Sequence, residues 1–492
     1  MSFLDDIRKT VSYARRNGIA GAISAARERM MLNRIPYHYE PCTPEALKEQ
    51  RASFSRLVME AGESSLPHFS VLVPAYKTDR TFLAEMIDSV KRQTYGAWEL
   101  IIADASPAGA RVRETAGEAH DSRVRYLQLS QNRGIAANTN EAALIATGDY
   151  LLFLDHDDLL TPDALYEMAC AVMAQETPPF LVYGDEDKFE DAEGKERRFF
   201  EPHYKGAFDF EKLLSNNYIC HPAAVRADLF RNLMMRSAYD GSQDHDLFLR
   251  IACMAIWPDG KDGRARTRNE VQKRIVHTGR VLYHWRAHAL STAQDPAHKN
   301  YAFGAAQRAI RDVLKDYGME VTVEPLPHLG FYRTVYHPDL FEARKDVGVI
   351  GGCIRDRRGV TVGGCMDEEG HVFYEGTGAN ESGGYQHPAV LVQEADAVDL
   401  RAVRVRDELL TLYAAVTEDR TAADGTARGI IEDSLSFCRS VREAGYRILY
   451  DPQFVVPGDG EEDKEDRGRD EEENQPEEDT DGNEGDRDHS QS

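Results

Sequence analysis

The densest group of residues that could do chemistry is an acidic run, Asp155-His156-Asp157-Asp158. It directly follows Tyr150–Leu154, a continuous apolar stretch that is typical of a buried strand. Three carboxylates in such a short run must face solvent or bind a cation, because burying unpaired charges costs too much free energy. Mg²⁺ and Mn²⁺ often combine one or two protein carboxylates with phosphate oxygens of a substrate. The run therefore predicts a divalent-cation site, with a solvated turn before a helix as the alternative.

The elements that must position this run alternate between strands and helices from Phe69 onward. Strands are predicted over residues 69–74, 98–103, 124–129 and 150–154, and helices over 81–94, 110–119 and 134–147. Near-continuous apolar strands that alternate with helices indicate a parallel sheet covered on both faces. Ligands of such sheets bind at the carboxyl ends of the strands. We therefore expect Tyr76, Asp104, Asn132 and the acidic run to lie near one edge of the sheet.

Missing motifs exclude several function classes. The chain has no GxxxxGK[ST] phosphate loop, no GxGxxG after the first strand and no GxSxG elbow. These absences argue against a P-loop phosphotransferase, a dinucleotide-binding domain and an α/β-hydrolase. A covered sheet with an acidic pair and no phosphate loop suits a nucleoside diphosphate that is held through a metal ion.

Several ordered motifs together resemble the nucleotide-binding half of family 2 glycosyltransferases with the GT-A fold. Three later motifs, the first of which is YGDEDK (183–188), are similar to the rhamnosyltransferase-like members that build bacterial cell-surface polysaccharides. The resemblance implies an α/β fold of the GT-A type, with a doubly wound, mostly parallel sheet. The motifs are FSVLVPAY (69–76), WELIIADAS (98–106), Asn132-Arg133-Gly134-Ile135-Ala136, YLLFLDHDD (150–158), SQDHDLFLR (242–250) and LYHWR (282–286).

The resemblance also implies a role for individual residues. Asp244 lies where these enzymes keep a general base, and Asp155, Asp157 and His284 would hold Mn²⁺ or Mg²⁺. The family usually has two adjacent acids where this chain has Ala103-Asp104. The residues implied in binding the nucleotide-sugar are Pro74, Ala75, Tyr76, Asp104, Asn132, Arg133, Gly134, Asp155, His156 and Arg286.

The implied function is that of a metal-dependent inverting glycosyltransferase. It would move a sugar from a nucleotide-diphosphate donor to a hydroxyl of a cell-surface polysaccharide or a lipid-linked glycan. Such a reaction needs a cation for the departing diphosphate and a carboxylate for the acceptor proton. A second function class is left open, namely a catalytically inactive glycan-binding or assembly protein that retains the fold. Asp244 and Asp246 have a structural alternative as caps of a helix that begins there.

Length and composition set further limits. The chain has 492 residues, a formal charge of −25 and 42% hydrophobic residues. Its apolar runs are far shorter than the roughly 18 residues that would span a bilayer, and its first residues do not form a signal peptide. Seven cysteines without a CxxC pair make a disulfide framework or a Cys-rich zinc site unexpected. We expect a cytoplasmic protein that does not bind nucleic acid, and its oligomeric state is left open.

Four segments are predicted. Residues 1–66 form a helical N-terminal extension, whose basic amphipathic pattern suits either docking on its own protein or peripheral contact with the inner face of the plasma membrane. Residues 67–335 form the GT-A glycosyltransferase catalytic domain, and residues 336–457 a degenerate, partial glycosyltransferase-like module that scaffolds or binds acceptor. Residues 458–492 form a disordered acidic tail with 17 acids and 4 bases.

Two stretches of the catalytic domain have open interpretations. The acids of Tyr183–Asp187 lie either in a solvated loop or in contact with the acceptor. The basic, glycine-containing segment from Trp257 to His277 suits either a mobile lid over the ligand or a solvated loop.

Overall fold

The structure is a computed structural model that describes residues 37–191, 196–287, 300–379, 381–417 and 427–458, with short pieces between residues 14 and 30. The predicted acidic tail from residue 459 onward and most of the predicted N-terminal helix lie outside the described residues. Among the described residues, no helix combines the length and the apolar character needed to cross a bilayer.

Helices and strands alternate along the first part of the chain. Their bounds in chain order are α1 Pro44–Ala61, β1 Phe69–Ala75, α2 Arg80–Lys91, β2 Trp98–Asp104, α3 Val112–Gly117, β3 Val124–Gln128, α4 Ile135–Ile145, β4 Tyr150–Phe153, β5 Leu159–Leu160, α5 Ala164–Met173, β6 Leu181–Glu190, β7 Arg198–His203, α6 Phe210–Ser215, β8 Ala223–Arg226, α7 Ala227–Leu233, α8 Gln243–Ile256, α9 Arg268–Gln272 and β9 Ile275–Arg286.

These strands form one sheet in the order β3-β2-β1-β4-β8-β6-β9-β5, with β7 paired to β6. The first four strands are parallel. Strand β8 runs antiparallel to β4 and β6, and β9 is parallel to β6. The carboxyl ends of β1, β2, β4, β6 and β9 therefore reach the same edge of the sheet, and β8 begins at that edge.

Both faces of this sheet are buried by helices. On β1, Leu72 packs into one apolar cluster, whereas its neighbours Val71 and Val73 pack into another. Alternating side chains thus enter two cores, which explains why the strands are apolar at nearly every position. The predicted α/β fold with a doubly wound sheet is confirmed, and its parallel part is the run of β3, β2, β1 and β4.

The acids of Tyr183–Asp187 lie inside strand β6, so the prediction of a solvated loop is wrong. Asp187 is fully buried, and its Oδ1 accepts a hydrogen bond from His284 Nδ1 at 2.5 Å. Asp185 Oδ1 lies 2.7 Å from His277 Nε2. Both histidines lie on β9, the parallel neighbour of β6, so each acid is stabilised by a partner from the adjacent strand.

A second α/β unit follows in the chain and confirms the predicted second module. The remaining elements are α10 Asn300–Asp316, β10 Glu320–Pro325, β11 Tyr332–His337, α11 Leu340–Ala343, β12 Val347–Arg355, β13 Thr361–Gly363, β14 Cys365–Met366, β15 Gln393–Glu394, β16 Ala397–Val398, β17 Val403–Val405, α12 Leu410–Thr417, α13 Ala427–Glu443 and β18 Arg447–Pro457. The sheet of the second unit has the order β13-β12-β18-β15. Strand β17 pairs with β12, and β12 and β18 are parallel. The chain positions at which we divide the four segments stay predictions.

Buried ion pairs join the two units. The guanidinium of Arg344, just after α11, donates to Glu211 Oε1 of α6 at 2.7 Å and holds Asp346 through two further hydrogen bonds of 2.9 Å. Arg447 of β18 donates to Glu394 Oε1 at 2.5 Å, and Glu394 N donates to Asp209 Oδ2 at 3.0 Å. Glu211 and Asp209 belong to the first unit, so the contact between the units is ionic as well as apolar.

The basic segment 257–277 takes part in this contact. Arg268 Nη1 donates to Asp396 Oδ1 at 2.5 Å, and Arg266 O accepts from Arg447 Nη2 at 3.0 Å. None of its residues lines the large cavity described below. The structure therefore does not support a lid, and the segment docks the second unit instead.

Candidate active site

A cavity of about 1370 Å³ opens at the edge of the first sheet where β1 and β4 end. Its walls come from the start of β8, from α8 and α10, from the β10–β11 hairpin and from a loop of the second module. Its lining mixes aromatic and charged side chains, as ligand sites do. The predicted site residues that line it are Pro74, Ala75, Tyr76, Asn132, Gly134, Asp155, His156, Asp157 and Asp244.

The acidic run after β4 divides into exposed and buried carboxylates. The side chains of Asp155 and Asp157 are 36% and 20% exposed and line the cavity. Asp158 is buried and accepts hydrogen bonds from Tyr283 Oη at 2.6 Å and from Arg286 N at 2.7 Å. Burial raises the pKa of Asp158, and the neighbouring Asp157 and Asp155 raise it further. Asp158 thus anchors the turn that presents the other two carboxylates.

His221 is the residue nearest to this run that the sequence did not single out. Its Nε2 lies 3.7 Å from Asp155 Oδ2, and its ring stacks on Tyr283 with centroids 5.1 Å apart. Its Nδ1 is buried, and the described residues offer it no hydrogen-bond partner. Because β8 is antiparallel, a residue just before that strand lies at the same edge as residues that follow β1 and β4.

Asp244 lies in the first turn of α8, where a carboxylate interacts favourably with the helix dipole. Asn217 Nδ2 donates to its Oδ2 at 2.6 Å. Asp246, two residues further along the same helix, is fully buried and forms ion pairs with Arg236 and Arg250. Neither aspartate caps the helix, so Asp246 is structural through its two arginines and not as the N-cap we expected.

The loop before α4 is fixed by Asn132 and Asp240. Asn132 Oδ1 accepts from Gly134 N at 3.1 Å, and Asp240 Oδ1 accepts from Ala136 N at 3.1 Å. Gly134 has φ +94°, and a Cβ at this position would lie 2.0 Å from Asp240 Oδ2. Asp240 is four residues before Asp244. Its carboxylate therefore connects the loop that contains Asn132 and Gly134 with the segment that contains the predicted base.

Four predicted residues lie outside the cavity lining. Asp104 is buried and accepts from Ser106 N at 2.8 Å and from Tyr126 Oη at 2.8 Å. Arg133 forms an ion pair with Glu141. The roles of these residues and of His284 and Arg286 stay predictions.

His284 and Arg286 support the acidic run from behind. Because His284 Nδ1 is used by Asp187, only Nε2 is left for any ligand. The guanidinium of Arg286 donates through Nε to Asp157 O at 2.6 Å and forms ion pairs with Glu85 and Asp191. In the described geometry Arg286 therefore orders the main chain of Asp157 and does not face the cavity.

Comparison with known proteins agrees with this geometry. The sequence profile described as "Glycosyl transferase family 2" matches residues 70–234, which include β1, the acidic run and the start of β8. The chain thus contains a segment that is similar to glycosyltransferases of family 2 and spans about a third of its length. Its matched glycosyltransferase domain contains every predicted donor residue except Arg286.

Relatives of this glycosyltransferase domain are much longer proteins or match over short stretches. An uncharacterised protein of Sinorhizobium fredii is 35% identical over 268 residues, which are 53% of this chain and 27% of that protein. The O-antigen biosynthesis protein RfbC of Myxococcus xanthus is 32% identical over 294 residues, covering 58% of this chain and 20% of its own length. The chain thus spans only about a quarter of the length of these relatives.

A shorter match and a solved structure complete the comparison. The Escherichia coli protein named UDP-Glc:alpha-D-GlcNAc-diphosphoundecaprenol beta-1,3-glucosyltransferase WfgD is 34% identical over 116 residues, covering 24% of this chain and 44% of its own length. The crystal structure of residues 1–349 of TarS from Staphylococcus aureus aligns with 50% of this chain and 65% of that chain, with 14% identity and a TM-score of 0.36.

The first unit also contributes polar cavity residues that are not among the predicted donor, metal or base residues. They are Glu186, Lys188 and His203 on β6 and β7, together with His221 and Asn217. Burial alone would raise the pKa of Glu186, but Lys205 and His203 lower it to about 2. Its Oε2 is buried without a hydrogen-bond partner in the described structure. Glu186 is one of the acids of Tyr183–Asp187, for which the sequence left contact with the acceptor open beside a solvated loop, and it lines the cavity.

Replacing Gly134 by alanine should disturb the donor loop more than the same change at Gly109, which has nearly the same φ of +93° and nothing within 4 Å. Both variants bear the left-handed strain of about 1–2 kcal/mol. Only Gly134→Ala also pushes Asp240 from Ala136 N. We expect Gly134→Ala to lower the affinity for a nucleoside diphosphate about tenfold, measured by calorimetry, and Gly109→Ala to leave it unchanged. Equal affinities for the two variants would contradict the close contact between Gly134 and Asp240.

Proposed function

We propose that this chain is a metal-dependent, inverting glycosyltransferase. It transfers a sugar from a nucleotide-diphosphate donor to a hydroxyl of a surface polysaccharide or a lipid-linked glycan. The observation that carries the proposal is that Asp155 and Asp157, which belong to the segment that matches the glycosyltransferase family 2 profile, face one cavity together with Asp244. Donor and acceptor classes are supported by the names of relatives, one of which is named as a glucosyltransferase with UDP-Glc and a diphosphoundecaprenol-linked acceptor.

Asp155 and Asp157 fit a divalent cation by the chemistry of their donor atoms. Both are carboxylates at a cavity edge, and hard cations such as Mg²⁺ and Mn²⁺ prefer oxygen ligands and complete their shell with phosphate oxygens and water. When bound, the cation neutralises the negative charge of the departing diphosphate. A different group of three possible ligands, Asp367, Glu369 and His371, lies in the second module and not in the cavity.

Asp244 is the group proposed to take the acceptor proton. The hydrogen bond from Asn217 occupies its Oδ2 and fixes the carboxylate, which leaves Oδ1 for the incoming proton. The base comes from α8, whereas the carboxylates proposed for the metal follow β4. An inverting displacement needs such a separation, because the acceptor attacks from the face opposite the leaving group.

The test is the melting temperature of the protein with uridine, guanosine or thymidine diphosphate, each with and without Mn²⁺. Ligand that exceeds its dissociation constant 100-fold stabilises the folded state by about 2.7 kcal/mol, which raises the melting temperature by roughly 5 °C. We expect one nucleotide to show this shift only with the metal. Asp157→Asn should remove the shift, and Asp367→Asn should retain it as the matched control.

The competing function, an inactive glycan-binding protein, makes the opposite prediction. It gives no metal-dependent shift with any of the three nucleotides and no release of nucleotide from nucleotide-sugars. A shift that persists in Asp157→Asn and disappears in Asp367→Asn would assign the metal to the second module and contradict the proposal.

A further inference from the structure

Two side chains of the second module, Tyr385 and Gln386, line the same cavity as Asp155 and Asp244. Gln386 Oε1 accepts from Asn216 Nδ2 at 3.2 Å, and the next residue, Asn217, donates to Asp244. The second module therefore reaches the part of the cavity in which the proposed base lies. No sequence motif of the module predicted this contact, since it joins residues 170 positions apart.

The ring of Tyr385 is held between charged and aromatic neighbours of the first unit. Lys188 Nζ lies 5.6 Å from its centroid, and the ring of His203 meets it edge-on at 5.9 Å. Lys188 in turn donates to Glu201 Oε2 at 2.6 Å. These contacts fix the orientation of an aromatic face in the cavity wall, and a fixed face costs little conformational entropy when it binds.

The loop that carries Tyr385 has an unusual backbone. Gln386 and His387 have φ of +64° and +55°, and Gly383 and Gly384 before them also have positive φ. Non-glycine residues with such angles store strain, and they persist where neighbouring structure holds them, commonly at ligand sites. Here Glu28 accepts from Ser382 N and Ser382 Oγ, both at 2.6 Å, and the rings of His328 and His387 stack with centroids 3.5 Å apart.

We propose that residues 382–387, which we call the Tyr385 loop, form the acceptor platform, with the ring of Tyr385 packed on a sugar ring of the acceptor. The second module would thereby select the acceptor, although it has no donor site of its own. A sugar ring presents C–H groups on its faces and hydroxyls at its edge. The aromatic face of Tyr385 suits the C–H groups. The polar side chains that line the same cavity, Lys188, Asn217 and Asp244, suit the hydroxyls. This inference rests on the proposed function, because it needs a sugar acceptor.

The experiment measures acceptor and donor binding separately. The acceptor probes are p-nitrophenyl glycosides of glucose, galactose, N-acetylglucosamine, mannose and rhamnose, observed by saturation-transfer NMR with uridine diphosphate and Mg²⁺ present. We expect Tyr385→Ala to weaken binding of the preferred glycoside about tenfold, since the ring face is lost. Tyr385→Phe keeps the ring and should bind as the wild type does. Uridine diphosphate affinity should be the same in all variants.

The matched control is Phe373→Ala. Phe373 belongs to the same module, is 44% exposed and lies outside the cavity lining, so its removal should change neither affinity. The inference is overturned if Tyr385→Ala binds the glycoside as tightly as the wild type, if it weakens nucleotide binding instead, or if the wild type binds none of the probes. If no nucleoside diphosphate gives a metal-dependent shift of the melting temperature of the wild type, the proposed function is overturned. That measurement contains no glycoside, so the two outcomes are distinguishable.

Discussion

Asp244→Asn should abolish sugar transfer while donor binding stays intact. The amide keeps the size of the side chain and its place beside Asn217, but it cannot take a proton from the acceptor hydroxyl. Loss of a general base lowers the turnover number about 10²–10⁴-fold. Steady-state rates of nucleotide release in the presence of acceptor check this, and the metal-dependent shift with nucleotide should equal that of the wild type.

The control for Asp244→Asn is Asp88→Asn on α2, whose carboxylate is 55% exposed and lies outside the cavity lining. This variant should transfer sugar at the wild-type rate. A fully active Asp244→Asn enzyme would remove Asp244 as the base. A parallel loss of donor affinity would instead give it a role in binding, because a group needed only for proton transfer does not change ground-state affinity.

The local elements of the first sheet could be predicted because each is written in a short stretch of sequence. The strand predicted over residues 69–74 is Phe69–Ala75, and the helix predicted over 134–147 is Ile135–Ile145. A buried strand or an amphipathic helix is specified by the spacing of its own apolar residues. The antiparallel position of β8 has no such local signal, since strand order depends on contacts between distant segments.

Only the site residues that follow parallel strands could be predicted from the sequence. Asp155 and Asp157 follow β4 and were found by the rule that ligands bind at carboxyl ends. His221 precedes β8 and reaches the same edge because that strand runs the other way. The position of Asp185 and Asp187 inside β6 could not be predicted, because their partners, His277 and His284, lie more than 90 residues later in the chain.

The contribution of the second module to the cavity could not be predicted from the sequence. Its loop enters the cavity through Tyr385, yet the sequence around that tyrosine shows only glycines and polar residues. The ion pairs that dock the module join residues such as Glu211 and Arg344, 133 positions apart. If the module completes the acceptor side, its docking must be stable, and Arg344 forms a buried ion pair across that contact.

Replacing Arg344 by methionine should therefore destabilise the contact between the units strongly. Arg344 is fully buried, stacks on Trp257 at 4.9 Å and neutralises Glu211, which is 3% exposed. Removing one partner of a buried ion pair leaves an uncompensated charge and costs about 3–5 kcal/mol, which is roughly a 10 °C fall in the first thermal transition. Arg358→Met is the control, since Arg358 is 84% exposed and its ion pair with Asp356 contributes little.

The pH dependence of the Arg344→Met variant distinguishes a lost charge partner from lost packing. Burial raises the pKa of Glu211 from 4.5 to about 7 even while Arg344 lowers it. Between these values the folded state binds more protons than the unfolded state, so the contribution of Glu211 to stability falls as the pH rises. Without Arg344 the pKa of Glu211 should rise further, so this dependence should extend to higher pH, and the loss of stability in the variant should be smaller at pH 5 than at pH 8. Adding Glu211→Leu should recover part of the melting temperature at pH 8, because the unpaired buried charge is gone. If the loss of melting temperature is equal at both pH values and unchanged in the double variant, the effect of Arg344→Met is due to packing alone.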